Sequence, residues 1–314
     1  MATVFVSGTL PGDGVAALRA SHRVVQAEDG IRSAAFADCR ADVEAVVALL
    51  TDRIDAAFLD ASPRLRVVAN VAVGVDNVDL PACRARGVIV TNTPDVLTEA
   101  TADLAFGLLL AAARRIAEGD RLVRAGAFTG WTPTFMLGTR VHGATLGIVG
   151  MGRIGSAVAR RARGFSMPVH YTQRSRLDAA LAEGATYVEL EELVTRADFV
   201  SIHCPLTPAT THLFDEGRLA RMKAESVLIN TARGPIVDEA ALGRALEHGP
   251  LAAAGLDVFE HEPVIDPSLL ARPNAVLAPH IGSADRPTRE AMASRAIANV
   301  LEVLAGRPPV SPIG

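Results

Sequence analysis

Cysteine is scarce and unpatterned: Cys39, Cys83 and Cys204 are the three in 314 residues. An odd number with no CxxC spacing excludes a disulfide framework and a cysteine-held zinc site, and points to a reducing compartment. Basic charge is not in excess either. Lysine and arginine number 31 against 35 aspartates and glutamates, a formal charge of -4, which speaks against a nucleic-acid protein built on a basic patch. A long hydrophobic run is also missing. The longest, Leu104 to Ala113, is interrupted by Gly107 and bracketed by Asp103 and Arg114-Arg115, well short of the roughly 20 apolar residues a membrane span needs. Met1 to Gly8 lacks the basic and apolar regions of an export signal and reads as a first buried strand. No HExxH and no Cys/His cluster supports a metal. These absences leave a cytoplasmic chain acting on a small molecule, with neither nucleic acid nor membrane as partner.

What is present is ordinary globular composition, 49% hydrophobic and 21% charged, in a chain long enough for two domains. Short β-branched runs alternate with Ala/Leu/Arg-rich stretches from end to end, the mark of parallel sheets with crossover helices. Val4 to Ser7, Ala56 to Leu59, Val67 to Ala69 and Val88 to Thr91 read as strands of a first unit. A long helical stretch, Glu99 to Ala125, reads as a joint between units or a face for a partner chain. After the irregular, aromatic-rich segment Gly126 to Gly143, a second alternation has strands at Thr145 to Val149, Val169 to Tyr171, Phe199 to His203, Ser226 to Asn230, Gly255 to Val258 and Ala275 to Leu277. The fold class is therefore α/β, with two open parallel-sheet units.

One motif points to a cofactor. Leu146 to Val149 leads into Gly150-Met151-Gly152-Arg153-Ile154-Gly155 and a helical run from Ser156 to Arg163, the strand, glycine turn and helix of dinucleotide binding. Gly150 allows the tight turn, Gly152 lets a pyrophosphate approach the backbone, and Gly155 lets helix and strand pack closely. About 20 residues on, where an NAD enzyme places an acid for the ribose 2′-hydroxyl, stand Gln173, Arg174, Ser175 and Arg176. Without a carboxylate a 2′-phosphate meets no repulsion, and the arginines and serine can donate to it. NADP is the expected cofactor, with NAD possible.

A second constellation points to the chemistry. Hydride transfer to a carbonyl needs a cation to hold and polarise the substrate, a proton donor near neutral pKa, and a group that keeps the donor charged and aimed. Arg233 follows the strand Ser226 to Asn230, at the carboxyl edge where open α/β folds bind ligands. His280, after Ala275 to Leu277, can act as the acid. Glu262 can hydrogen-bond that imidazole and raise its pKa. The other histidines, His22, His142, His170, His203, His212, His248 and His261, lack this combination and read as structural or solvated.

The fingerprint at Gly150, the boxes Asn230-Thr231-Ala232-Arg233-Gly234 and Gly255 to Pro263, and Pro279-His280-Ile281-Gly282-Ser283 stand in the order seen in the D-isomer-specific 2-hydroxyacid dehydrogenases. The chain resembles that family over nearly its whole length, and is most similar to the NADPH-dependent glyoxylate/hydroxypyruvate reductases through Tyr171 to Arg176 and Trp131-Thr132-Pro133. The resemblance implies a flavodoxin-like substrate domain, 1–98 and 284–314, around a Rossmann dinucleotide-binding domain, 99–283, with substrate in the cleft between them. It implies catalytic roles for Arg233, Glu262 and His280, substrate-carboxylate binding by the N–H groups of Val73 and Gly74, and nicotinamide recognition by Asp257. Further cofactor contacts fall on Arg153, Ile154, Thr101, Cys204, Pro205, Thr210, Thr231, Ala232 and Gly282. Trp131 would close a neighbouring subunit's pocket or anchor packing, and the stretch from Glu99 would build a homodimer. Leu50, Trp131 and Met136 would set side-chain selectivity. Other readings are a dehydrogenase of D-lactate or 3-phosphoglycerate, and a dinucleotide-sensing corepressor; the phosphite dehydrogenases that share these boxes carry a lysine where this chain has Val73.

Overall fold

A computed structural model describes residues 1–313. The chain divides into two compact units, Met1–Leu97 with the segment from Ser283 onward, and Thr98–Gly282.

The first unit begins β1 (Thr3–Ser7), α1 (Gly14–Ser21), β2 (Arg23–Ala27), α2 (Ala34–Cys39), β3 (Val43–Ala48), α3 (Ala56–Ala61), β4 (Val67–Asn70), α4 (Leu80–Ala85) and β5 (Ile89–Thr91). The sheet runs β2-β1-β3-β4-β5, every pair parallel, the flavodoxin-like order. β1 and β4 are buried at every position, as expected of strands covered on both faces. Phe36 stacks on Phe58 and meets Phe5 edge-on in the core beneath them. Two departures from the sequence reading stand out. Ala56 to Leu59 is a helix, not a strand, because the Asp55 carboxylate accepts the Phe58 N–H at 3.0 Å and caps the turn that buries Phe58 and Leu59. β2 and β3 went unread: the first is a half-buried edge, and the Glu and Ala of the second suit a helix equally well.

The second unit holds α5 (Thr98–Ala113), α6 (Ile116–Arg124), β6 (Leu146–Val149), α7 (Arg153–Arg163), β7 (Val169–Thr172), α8 (Ala179–Ala182), β8 (Thr186–Tyr187), α9 (Leu190–Arg196), β9 (Phe199–Ile202), α10 (Glu216–Ala220), β10 (Val227–Asn230), α11 (Glu239–His248), β11 (Ala253–Leu256), α12 (Pro267–Leu270) and β12 (Ala275–Leu277). Its sheet runs β12-β11-β10-β9-β6-β7-β8, again all parallel. All carboxyl ends therefore share one edge, and the strand order reverses beside β6, the switch point where such sheets bind ligands. The stretch Glu99 to Ala125 is two helices rather than one. Arg115 sits at φ +55°, and the Thr139 N–H takes the Ala113 carbonyl at 2.8 Å, ending α5. α5 buries a broad apolar face in the core, whereas α6 buries no residue. The strand expected at Gly255 to Val258 begins two residues earlier, at Ala253.

The chain then returns to the first unit as α13 (Arg286–Leu304), capped by Asp285 and packed on β3 and β4. Beyond it the Ile313 N–H donates to the Val90 carbonyl at 2.8 Å, so the tail lies antiparallel along β5. Among the described residues no helix is long and apolar enough to cross a membrane.

Candidate active site

The turn after β6 separates three glycines by what surrounds them. Gly150 has φ +97°, and a Cβ there would stand 2.6 Å from the Cys204 nitrogen; a Cβ at Gly155 would stand 2.2 Å from the Gly150 carbonyl oxygen. The protein's own backbone requires these two. A Cβ at Gly152 would meet nothing within 4 Å, so the space kept clear there lies outside the chain. α7 starts at Arg153, earlier than its sequence suggests, and its N-cap Gly152 offers no side-chain acceptor to the first-turn N–H groups. The positive end of an 11-residue helix thus faces an open cradle, which fits the pyrophosphate of a dinucleotide.

Next to this cradle, at the end of β7, Gln173 braces the turn. Its Oε1 accepts the Met151 N–H at 3.1 Å and its Nε2 donates to the Ser175 carbonyl at 2.7 Å. Arg174 and Ser175 are exposed, and the Arg176 guanidinium stands 5.9 Å from the centroid of the Tyr187 ring. After β9, burial pushes the Cys204 thiol up to about 11, so it is neutral. Thr210 donates to the Pro205 carbonyl at 2.7 Å and accepts the Thr207 N–H at 2.8 Å, shaping that loop. The Thr231 hydroxyl after β10 is buried with no hydrogen-bond partner among the described residues, a donor available to a bound group.

Arg233, Glu262 and His280 come together at the ends of β10, β11 and β12. Asn230 curls the first loop: its Nδ2 donates to the Arg233 carbonyl at 2.9 Å and its Oδ1 accepts the Ala232 N–H at 3.0 Å. Gly234 then lies against the next loop so tightly that a Cβ would stand 1.9 Å from the Phe259 carbonyl carbon. In that next loop Glu262 Oε1 accepts the Phe259 N–H at 3.0 Å, and Oε2 lies 2.8 Å from His280 Nδ1. Burial alone would raise the Glu262 pKa, but the bonds from His280 and the Phe259 N–H, with the charge of Arg233, outweigh it and hold the carboxyl below its ordinary value. An ionised Glu262 makes Nδ1 the donor and leaves Nε2 as the ring nitrogen that can exchange a proton.

His280 is held in the left-handed region at φ +54°. Asp257 holds it there: its backbone carbonyl accepts the His280 N–H at 2.9 Å, and its two carboxylate oxygens accept the Ile281 and Gly282 N–H groups at 2.7 Å each. Burial raises the pKa of Asp257, against the pull of those two donors. Thr101 is buried beside Gly282. Sequence reasoning missed Glu239, a buried carboxylate that accepts the N–H groups of Glu260 and, at 3.1 Å, Asp266, bracketing the Glu262 loop. Locally it reads only as an acid in the first turn of α11. Val73 and Gly74 belong to the other unit, in the loop after β4. Trp131 is 76% exposed, so it anchors no packing within its own chain. Among the described residues no His, Cys, Asp and Glu side chains are grouped to hold a metal ion.

The profile of the D-isomer specific 2-hydroxyacid dehydrogenase NAD binding domain matches residues 106–282. A glyoxylate reductase of Korarchaeum cryptofilum is 52% identical over 271 residues, covering 85% of this chain and 82% of its own. That of Thermococcus kodakarensis is 46% identical over 314 residues, covering 98% and 94%. Among solved structures, an NADPH-dependent glyoxylate/hydroxypyruvate reductase from Sinorhizobium meliloti, in complex with NADP and malonate, aligns with a TM-score of 0.90 at 36% identity, covering 100% of this chain and 97% of that one. With a Rossmann-type sheet, a dinucleotide cradle and an Arg, Glu and His at its carboxyl edge, the chain belongs to the D-isomer-specific 2-hydroxyacid dehydrogenases, oxidoreductases that interconvert 2-oxo and 2-hydroxy acids.

Proposed function

We propose that this protein reduces small 2-oxo acids, glyoxylate and hydroxypyruvate, to D-2-hydroxy acids with NADPH. The observation that carries the reaction is the Glu262–His280 hydrogen bond beside Arg233. A bound nicotinamide dinucleotide supplies the hydride. Arg233 binds the substrate and draws electron density toward its carbonyl oxygen. His280 delivers a proton from Nε2 to that oxygen, while Glu262 at Nδ1 stabilises the imidazolium and fixes the ring. The N–H groups of Val73 and Gly74 take the carboxylate. In the reverse direction neutral Nε2 accepts the hydroxyl proton.

The preference for NADPH rests on the turn at Gln173. A neutral amide, itself committed to Met151 and Ser175, stands where a carboxylate would repel a 2′-phosphate, and Arg174, Ser175 and Arg176 follow it. The Sinorhizobium meliloti neighbour is NADPH-dependent, in line with this reading. The apolar face of α6, with Ile116 and Val123 more than half exposed, and the exposed Trp131 are assigned to a second copy of the chain, a homodimer.

The test is loss of reduced-nicotinamide absorbance with glyoxylate and with hydroxypyruvate, using NADPH and NADH separately. Faster oxidation of NADPH is expected with both acids. Faster oxidation of NADH would sink the cofactor assignment alone, and no turnover with either would sink the reductase.

A further inference from the structure

Three successive carbonyl oxygens in the loop after β4 are each held from within the first unit. Ala72 O accepts the Thr93 N–H at 2.9 Å, Val73 O accepts Asn92 Nδ2 at 2.8 Å, and Gly74 O accepts Asn70 Nδ2 at 2.9 Å. Asn70 also pairs with Asn77, each amide donating to the other's oxygen at 3.2 and 3.1 Å. Asn77 Nδ2 further reaches the carbonyls of Leu49, at 3.2 Å, and Asp52, at 2.9 Å. Asn70 is fully buried and Asn92 nearly so.

In a planar trans peptide the C=O and the following N–H point in opposite directions. Fixing the carbonyls of Ala72, Val73 and Gly74 inward therefore turns the N–H groups of Val73, Gly74 and Val75 outward. None of the three donates to another group among the described residues. Consecutive N–H groups facing one way make an anion-holding concavity.

We propose that Asn70, Asn77 and Asn92 are positioning residues for substrate: by holding those carbonyls they present three N–H donors, Val75 included, to the carboxylate of a 2-oxo acid. Asn77 extends the same frame to the Leu49–Asp52 loop, so the loop carrying Leu50 is set by the amides that set the carboxylate donors. This rests on the reading of Val73 and Gly74 as carboxylate ligands. It explains the residue type, since an aspartate at 70 or 92 has the same shape but no donor and would repel the carbonyl it faces.

The decisive variant is Asn92→Asp, measured for glyoxylate kinetics, inhibition by oxamate and dinucleotide affinity. KM and the oxamate inhibition constant should rise about tenfold, the loss of oriented hydrogen bonds to a charged group, with kcat changed by less than about threefold. Dinucleotide affinity should not change. A folded Asn92→Asp whose KM and oxamate constant stay within about twofold of wild type overturns the proposal, because the donors then keep their aim without the amide. Asn70→Asp is expected to act the same way. If either variant shows no cooperative thermal unfolding, Asn92→Ser, too short to reach the Val73 carbonyl, is held to the same two outcomes. Wild-type protein that turns over no 2-oxo acid would bring down the functional reading instead.

Discussion

The loop after β4 and the cluster of Arg233, Glu262 and His280 are made of opposite materials. The first is neutral: side-chain amides hold backbone carbonyls, and backbone N–H groups are the donors. The second is charged, with an ionised carboxylate against an imidazole, the charge of Arg233 acting on that carboxylate, and the buried acids Asp257 and Glu239 gripping the backbone around them. On the proposed function the difference divides the labour. Fixed amides neither titrate nor exchange protons, so they suit recognition; the ionised cluster can move a proton and answers to pH.

Three measurements on five variants test and sharpen that comparison. The largest effect should come from His280→Asn, which removes the proposed proton donor: kcat should fall about 10²- to 10⁴-fold with dinucleotide affinity unchanged. Stopped-flow and steady-state rates check this, and a variant within about tenfold of wild type would mean that the proton comes from elsewhere.

Next is Gly234→Ala. Its new methyl must enter space already held by the Phe259 backbone, so urea unfolding should show a loss of about 1–3 kcal/mol. Gly152→Ala, with open space around it, should leave the urea midpoint alone and weaken dinucleotide binding. Equal midpoints for the two variants would break the claim that one glycine serves the chain and the other its ligand.

The smallest effect is in pH. Glu262 titrates below its ordinary value in the folded chain, so its stabilising contribution is fully present above the unfolded carboxylate range and is lost as pH falls through the lower folded value. The difference in urea midpoint between wild type and Glu262→Gln should therefore be widest near neutrality and shrink on acidification. The difference caused by Asn92→Ser, which involves no titrating group, should stay level across the same range. A Glu262→Gln difference that grows in acid would reverse the sign assigned to this carboxyl.

Much of the second unit was legible because its signals are local. The glycine fingerprint, the arginine after a strand and the histidine after the last strand each occupy a short stretch whose place on the sheet edge follows from the alternation of elements. The hydrogen bond between His280 and Glu262, expected from the sequence, is present, with Nδ1 donating to the carboxylate at 2.8 Å. Less was legible where the deciding contact is distant or balanced. Ala56 to Leu59 is an apolar run that either structure could use, settled by one aspartate cap. The break between α5 and α6 depends on a segment some two dozen residues on crossing the helix end. Glu239 and Asn92 act on loops reached only through the fold, as does Asn77 on the carbonyls of Leu49 and Asp52, while Asn70 reaches Gly74 four residues on by a side-chain amide bond that no recognised motif announces.

The return of α13 to the first sheet also sets an order on synthesis. The second unit is one continuous stretch, complete once Gly282 has been made, whereas the first has its opening strands some two hundred residues ahead of the helix that covers β3 and β4. A chain emerging from the ribosome can thus close the second core while the first remains half-clad, its β5 edge bare until the tail arrives to lie along it. During that interval the exposed apolar strands of the first sheet are the part of the molecule most open to wrong pairing.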